Sequence, residues 1–303
     1  MLRQAENRCR IEGILSEINL KYNSFMKNGV PTDAIGGDIK VLVKQTINGE
    51  DVSLEIPVYM FATKFTNAGN PNPAYESIQK VMTEFTSIAS GAGEAGADKV
   101  RITNANIRMN EYYNQQGQLV SFPRVNASFV AKATGDFRPE ASWSLEFAVS
   151  SIDFVTDADG VEVEPKKLRI KAIVPQYGGK VDTMEFYATN PKVIDAITTY
   201  WENQKTYSAK GRLNFTSTTR EIIEEMDFGE PEVRLQTVSV SELIVTKGTQ
   251  SPMEDDMEFK PAELAAALKE HKAYLETLKD KPKNKPHSTP APTTSNQNFD
   301  LGF

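Results

Sequence analysis

Apolar and polar residues alternate in two segments of the chain that match each other almost position for position. Ile11–Leu20 reads IEGILSEINL, and Leu145–Phe154 reads LEFAVSSIDF. Each segment is followed by a second alternating stretch with basic residues at its polar positions, at 38–45 and at 166–174. Because a period of two places alternate side chains on opposite faces, these segments are predicted to be half-buried strands. A repeat of this length predicts two copies of one structural unit.

Each copy is predicted to contain five strands and one helix. The strands of the first copy are placed at 9–20, 38–45, 52–61, 99–113 and 119–133. Those of the second copy are placed at 144–155, 166–174, 180–188, 208–216 and 233–246. The helix follows the third strand in both copies and begins at Asn72-Pro73 or at Asn190-Pro191. Asparagine is a good N-cap residue, and proline suits the first helical position.

The composition changes after residue 250. Residues 262–279 are predicted to form an amphipathic helix, and 281–298 are rich in Lys, Pro, Ser, Thr and Asn, which is typical of disorder. The leucines of the helical stripe are Leu264, Leu268, Leu275 and Leu278. The chain then ends in apolar residues, which in a disordered tail favour a docking peptide. The residues of this predicted tip are Phe299, Asp300, Leu301 and Phe303.

The predicted organisation has four parts. A first domain spans 1–135, and a second spans 140–250. Residues 251–280 hold an acidic segment and the amphipathic helix, and residues 281–303 form a disordered tail that carries the docking tip.

Residues suited to catalysis are scarce. The chain has two histidines and one cysteine, and the histidines fall on the predicted C-terminal helix and in the tail. Nucleotide-binding glycine motifs are absent from the sequence. The run Asp157–Glu162 contains Asp-Gly and lies between two strands, so it is predicted to be a turn rather than a calcium site. We therefore expect no enzyme activity, no metal and no cofactor.

Hydropathy and cysteine usage bear on location. No apolar run approaches the ~20 residues that span a bilayer, and the single cysteine excludes an internal disulfide. These features predict a cytoplasmic protein without a membrane association.

Nucleic-acid binding is the better supported function. Alternation predicts that cations on the repeated strands point outward, with tyrosines nearby, and a single strand of nucleic acid requires both positive charge and flat aromatic faces. The candidate residues are Lys40, Lys44, Tyr59, Arg101, Arg108, Tyr112, Tyr113, Arg124, Arg169, Lys171, Tyr187, Lys210 and Arg212. In the alternative interpretation the cations only solubilise the sheet and the aromatics belong to the core. The net charge of −7 argues against a uniformly basic coat.

The order of the elements leads to a resemblance. Five strands with a helix between the third and fourth is the order of the OB-fold barrel. Two such units with a flexible tail and an acidic-apolar tip resemble the single-stranded DNA-binding proteins of bacteria and their phages. The segments that carry the resemblance are Arg10–Leu20, Ile39–Ala62, Gly211–Asn214, the turn Phe228–Pro231 and Asp300–Phe303. The tip departs from the family pattern, since only Asp300 is acidic and glycine stands at 302.

The resemblance implies a mainly β protein of two tandem five-stranded OB-like barrels, a C-terminal helix and a disordered tail. It implies binding of single-stranded DNA without sequence preference in replication or recombination, in a phage setting. The tip would recruit replication or recombination proteins, and the chain would be a monomer or homodimer. The alternative hypothesis is a structural or virion assembly protein whose tandem β-domains bind other proteins.

Overall fold

The computed structural model describes residues 2–47, 49–224 and 232–279, and it confirms the mainly β fold class. The first repeat forms strands β1 (Asn7–Lys27), β2 (Val30–Ile47), β3 (Glu50–Thr63), β4 (Lys99–Tyr113) and β5 (Leu119–Asn126). Helix α1 (Pro73–Glu84) and the single-turn α2 (Gly93–Gly96) lie between β3 and β4, and the two-residue β6 (Ala131–Lys132) pairs with β4.

The strands of the first repeat pair in a closed ring. The order is β1-β2-β3-β5-β4, and β4 pairs back onto β1. All of these pairs are antiparallel except β3 with β5, which run parallel. The connection between these parallel strands contains helix α1 and strand β4.

The second repeat has the same order. It contains β7 (Glu140–Phe154), β8 (Leu168–Pro175), β9 (Val181–Ala188), helix α3 (Pro191–Tyr200), β10 (Thr206–Glu224) and β11 (Glu232–Gly248). Strands β9 and β11 are parallel, and β10 pairs back onto β7. The correspondence extends to a local irregularity, because β1 has a bulge between Leu15 and Glu17 and β7 has one between Val149 and Ser151. These positions are equivalent in the sequence repeat, which supports two copies of one unit.

The helix starts follow the predicted capping. The side chain of Asn72 accepts a hydrogen bond from the backbone N–H of Ala74 at 3.1 Å, and Asn190 accepts one from Lys192 at 3.0 Å. The predicted turn at Asp157 is also present, because its carboxylate accepts hydrogen bonds from two following backbone amides. Both features arise from short polar side chains that satisfy nearby backbone donors.

Strand pairing between β1 and β7 joins the two rings. Residues 7–12 of β1 run antiparallel to residues 140–145 of β7, so one sheet of eleven strands passes through both rings. Beyond residue 13 the same edge of β1 pairs with β2 instead. Gly13 lies at this change of partner, and a Cβ there would be 2.4 Å from the carbonyl oxygen of Leu42. Only glycine fits such a close approach of two backbones.

A buried glutamate lies at the change of partner in each repeat. Glu12 is 0% exposed and accepts hydrogen bonds from the Arg101 guanidinium, both at 2.8 Å, and from the backbone N–H of Arg138 at 3.0 Å. Glu146, its equivalent, is 5% exposed and accepts from the Arg3 guanidinium at 2.7 Å and from the backbone N–H of Glu6 at 2.9 Å. Each carboxylate thus satisfies a backbone donor at the point where the strand of the other ring enters the sheet.

Two hairpins are longer than the alternation predicts. Strands β1 and β2 continue as a paired arm to Lys27 and Val30, although only 9–20 and 38–45 were predicted as strands. Residues 21–31 of this arm are exposed, so no buried face enforces an apolar alternation there. Strands β10 and β11 likewise stay paired to Glu224 and Glu232. In the opposite sense, the predicted strand 119–133 is interrupted after Asn126.

The C-terminal helix α4 (Pro261–Lys279) packs on both rings, against β4 and β9. Leu264 and Leu268 are buried as predicted, and Leu275 and Leu278 are partly buried. Phe259, just before the helix, is 1% exposed beneath the guanidinium of Arg3. The predicted tail 281–303 and the turn at 228–231 lie outside the described residues. Helices in the described part of the chain are too short or too polar to cross a membrane.

Arg101 is expected to act on stability through Glu12. Its guanidinium lowers the pKa of the Glu12 carboxyl to about 2, first by donating hydrogen bonds. Because this folded-state pKa lies below the unfolded value, the pair stabilises the protein above pH ~4.3, and the stabilisation is lost as the pH falls toward about 2. We expect Arg101→Ala to lower the melting temperature near neutral pH. On acidification, the melting temperature of the variant should fall less than that of the wild-type protein, and thermal melts at several pH values measure both effects.

Arg138→Ala provides the matched control. Its side chain is exposed and contacts Asp136, and the substitution keeps the backbone N–H that binds Glu12. Equal melting temperatures for the two variants would show that the Arg101 side chain does not support the junction.

Candidate nucleic-acid interface

The outer face of β1, β2 and β3 presents a row of aromatic side chains. Strand register places Asn19, Asp38 and Tyr59 side by side, and in the next row Lys21, Gly36 and Phe61. Since cross-strand neighbours share a face, Tyr59 and Phe61 both point away from the buried alternate residues of β3. We call the four residues Phe25, Tyr59, Phe61 and Phe65 the aromatic face.

Three members of the aromatic face are unusually exposed for their size. Phe25 is 39% exposed, Phe61 43% and Phe65 53%. The rings of Phe25 and Phe61 lie 6.3 Å apart at their centroids, so the arm and β3 contribute to one surface. Gly36 allows this arrangement, because a Cβ at that position would be 2.8 Å from the ring of Phe61. Exposed rings held in fixed positions are suitable platforms for stacking.

Cations lie beside these rings. The guanidinium of Arg124 is 4.0 Å from the centroid of Tyr59, and the Lys64 ammonium is 5.9 Å from that of Phe65. Burial lowers the pKa of Arg124, but an arginine side chain remains charged at neutral pH. Lys21 is exposed in the same cross-strand row as Phe61. The aromatic face therefore carries positive charge next to apolar rings.

Two predicted lysines of β2 lie close to carboxylates. Lys40 is 2.7 Å from Glu17 and 3.7 Å from Glu55, and its pKa is raised first by the hydrogen bond to Glu17. Lys44 is 2.6 Å from Glu94. All of these side chains are at least one third exposed, so the pairs contribute little to stability and can be exchanged for phosphate contacts.

Other predicted cations connect parts of the fold. Arg101 is engaged by the buried Glu12. Arg108 donates to Asp182 of the second ring at 2.7 Å, where burial raises the pKa of the carboxyl. The predicted tyrosines Tyr112 and Tyr113 are the last two residues of β4. Tyr112 packs edge-to-face on Phe122, and Lys279 of α4 lies over the ring of Tyr113. Arg108 aligns in register with Arg124 of β5, so its strand lies beside the one that supplies the cation over Tyr59. The structure thus commits Arg101 and Arg108 to carboxylates and Tyr113 to a contact with the C-terminal helix.

The second ring carries a related tyrosine in a different electrostatic setting. Register aligns Tyr187 with Arg169, as it aligns Tyr59 with Asp38. The Tyr187 hydroxyl donates to Glu185 at 2.7 Å, and its ring lies under Lys167, which also binds Glu242. Burial raises the pKa of Tyr187. Glu242 precedes the register partner of Tyr187 by two residues, as Arg124 precedes the register partner of Tyr59. An anion in the second ring therefore takes the position of a cation in the first.

The remaining predicted residues of the second ring differ in exposure. Lys171 is partly buried on β8, next to Glu185 in register. Lys210 is exposed on β10, and burial lowers the pKa of Arg212 two positions later. The predicted tip residues Phe299, Asp300, Leu301 and Phe303 lie outside the described residues.

Comparison with known proteins identifies the family. The family model described as YorF matches residues 5–281. The chain belongs to the YorF family. No curated protein matches it in sequence.

Solved structures similar to this YorF-family chain include single-stranded DNA-binding proteins. The wild-type protein from Thermus aquaticus has a TM-score of 0.49 and 11% identity, covering 84% of this chain and 96% of that chain. A deletion mutant of the same protein has a TM-score of 0.49 and 12% identity, with 85% and 98% covered. A replication protein A heterotrimer bound to single-stranded DNA has a TM-score of 0.24 and 8% identity, with 78% and 49% covered.

Sequence reasoning missed most of the aromatic face in this YorF-family chain. Phe25, Phe61 and Phe65 were not among the predicted site residues, and neither was Lys21. The signal that could have found them is Asn28-Gly29, whose positive φ angles of 50° and 78° close the hairpin between β1 and β2. Asn-Gly between two extended segments is a strong hairpin signal, and an arm closed there brings Phe25 to the strand that follows.

Within the described residues, no three His, Cys, Asp or Glu side chains come together as metal ligands would.

Proposed function

We propose that this protein binds single-stranded DNA without sequence preference, with the aromatic face of the first ring as the main contact. The observation that carries the proposal is the set of exposed rings, Phe25, Phe61 and Phe65, held beside Tyr59 and cations on one face. Every base has a flat π face, so stacking on such rings tolerates any sequence.

The strand order supports the same proposal. Each ring has the order of an OB-fold barrel, and we propose that residues 1–135 and 140–250 form two tandem barrels of this kind. OB-folds bind oligonucleotides on the face of strands 2 and 3 and on the loop between strands 1 and 2. In the first ring that face carries Tyr59 and Phe61, and the β1–β2 arm carries Phe25.

The proposed biological role is protection of single strands in replication or recombination, in a phage setting. In this role the tail tip recruits a replication or recombination protein. The apolar side chains of Phe299, Leu301 and Phe303, beside the acidic Asp300, suit a small apolar pocket rimmed by basic residues. The competing hypothesis of an assembly protein predicts no affinity for DNA at all.

Substitutions on the aromatic face are expected to weaken DNA binding. Phe61→Ala removes one stacking platform, and the usual cost of one lost base stack is about 1–3 kcal/mol, or roughly 5- to 150-fold in affinity. Thermal stability should change less than for a core phenylalanine, because Phe61 is 43% exposed. Fluorescence titration with poly(dT) over a range of salt concentrations measures the effect.

Tyr177→Ala is the matched control, since Tyr177 is 81% exposed on the turn between β8 and β9, outside the aromatic face. If both variants lose affinity to the same extent, the aromatic face is not the DNA-binding site. Absence of binding by the wild-type protein, at low salt as well, would refute the proposed function and favour the assembly hypothesis.

Deletion of residues 299–303 is expected to leave DNA affinity equal or slightly raised while abolishing capture of a replication or recombination protein from cell lysate. The deleted segment contains no cation and one acidic residue, Asp300, so its loss is not expected to weaken binding to a polyanion. Titration with poly(dT), a pull-down and a melting curve are measured together. A lower melting temperature with unchanged captured proteins would show instead that the tip packs on a domain.

A further inference from the structure

A groove lined by cations crosses the junction between the two rings. Its floor is formed by Ser142 and Ser144 of β7, which are partly buried small side chains. One wall is β1, with Arg8 and Arg10, and the other wall is formed by Lys210 of β10 and Lys247 of β11. We call these six residues the serine groove.

Strand register fixes the arrangement of the groove. Arg8 pairs with Ser144, Ser144 with Lys210, and Lys210 with Lys247. These residues therefore lie in one cross-strand row on one face. With strands spaced by about 4.8 Å, the backbones of β1 and β10, which flank β7, are ~10 Å apart.

The charges of the groove are available to a ligand. Lys210 and Lys247 are exposed, and neither is within ion-pair distance of a carboxylate in the described part of the chain. Arg8 is 74% exposed and is 3.3 Å from an exposed glutamate, Glu6, which is a weak contact. Arg10 is the least available cation, because it lies near Glu12 and Glu140.

The chemistry of the groove differs from that of the aromatic face. Its polar side chains are cations, serines, threonines and one carboxylate, Glu140, which accepts a hydrogen bond from the Ser142 hydroxyl and lies 3.3 Å from Arg10. The one aromatic residue in the lining, Trp143, is 2% exposed and donates its indole N–H to the carbonyl of Arg212. Such a surface offers nothing on which a base can stack, but it offers charge and hydroxyl donors to phosphates. Both surfaces include β1, which runs from the groove into the exposed arm.

We infer that the serine groove binds the phosphate backbone of the same single strand that stacks on the aromatic face, and carries the strand across to the second ring. This inference rests on the proposed function, and it adds a second contact whose affinity is electrostatic. A strand long enough to reach both surfaces gains the groove contacts, whereas a short strand is held by the aromatic face alone. One OB-like unit covers about 4–16 nucleotides, which sets the lengths to compare.

The test uses the full chain with the triple variant Arg8→Ala, Lys210→Ala, Lys247→Ala and labelled oligo(dT) of about 8 and about 30 nucleotides. Fluorescence anisotropy gives the affinity at several salt concentrations. Three lost phosphate contacts at about 0.7 counterions each should reduce the salt slope by about 2 for the long oligonucleotide. Binding of the short oligonucleotide should stay as in the wild-type protein.

A second triple variant controls for net charge. Lys180, Lys192 and Lys272 are exposed elsewhere, and their replacement by alanine changes the charge by the same amount. An equal loss in this control, or an unchanged slope in the groove variant while the wild type binds, overturns the inference. If the groove variant weakens the short oligonucleotide as much as the long one, the groove is not an extension of the aromatic face. If the wild type binds neither oligonucleotide, the proposed function itself fails.

Discussion

The pairing of β1 with β7 is the interaction on which the rest of the structure depends. One edge of β1 serves two partners in succession, first β7 of the other ring and then β2 of its own ring. A strand that changes partner leaves backbone donors unpaired at the crossing, and buried donors of this kind are costly. Glu12 and Glu146 meet this requirement in the two repeats, and each also accepts a hydrogen bond from an arginine.

The same junction determines where the functional surfaces lie. Because residues 7–12 of β1 are committed to β7, the basic side chains Arg8 and Arg10 face outward above the serines of the neighbouring strand. The later part of β1 no longer pairs with β7 and continues as the arm, which places Phe25 beside Phe61. The buried glutamates thus support the strand that connects both proposed contact surfaces.

The sequence predicted much of this fold, because its core follows local rules. Alternation identified most of the strands, and Asn72 and Asn190 marked both helix starts through N-cap chemistry. It did not predict the arm, since residues 21–31 are exposed and nothing requires them to alternate. Nor could it show that Arg101 and Arg108 meet Glu12 and Asp182, because these partners come from distant strands or from the other ring.

The candidate site was only partly predictable for a related physical reason. Outward cations can be read from alternation, but their availability depends on the carboxylates that the fold brings next to them. With a net charge of −7, many cations of this chain find an acidic neighbour, as Lys40 and Lys44 do.

The two copies consequently differ, although their strands correspond. The first ring keeps Tyr59 under Arg124 beside exposed phenylalanines, whereas the second surrounds Tyr187 with Glu185, Lys167 and Glu242. Charges of both signs surround both tyrosines, since Asp38 aligns with Tyr59 and Arg169 with Tyr187. The first ring differs in the exposed phenylalanines beside its tyrosine, Phe25, Phe61 and Phe65, which makes it better suited to stacking a strand on that face. The exposed cations of the second ring, Lys210 and Lys247, lie instead at the junction. The two rings therefore share one strand order while they present different surface chemistry, with exposed aromatic rings on the first and exposed cations of the second at the junction.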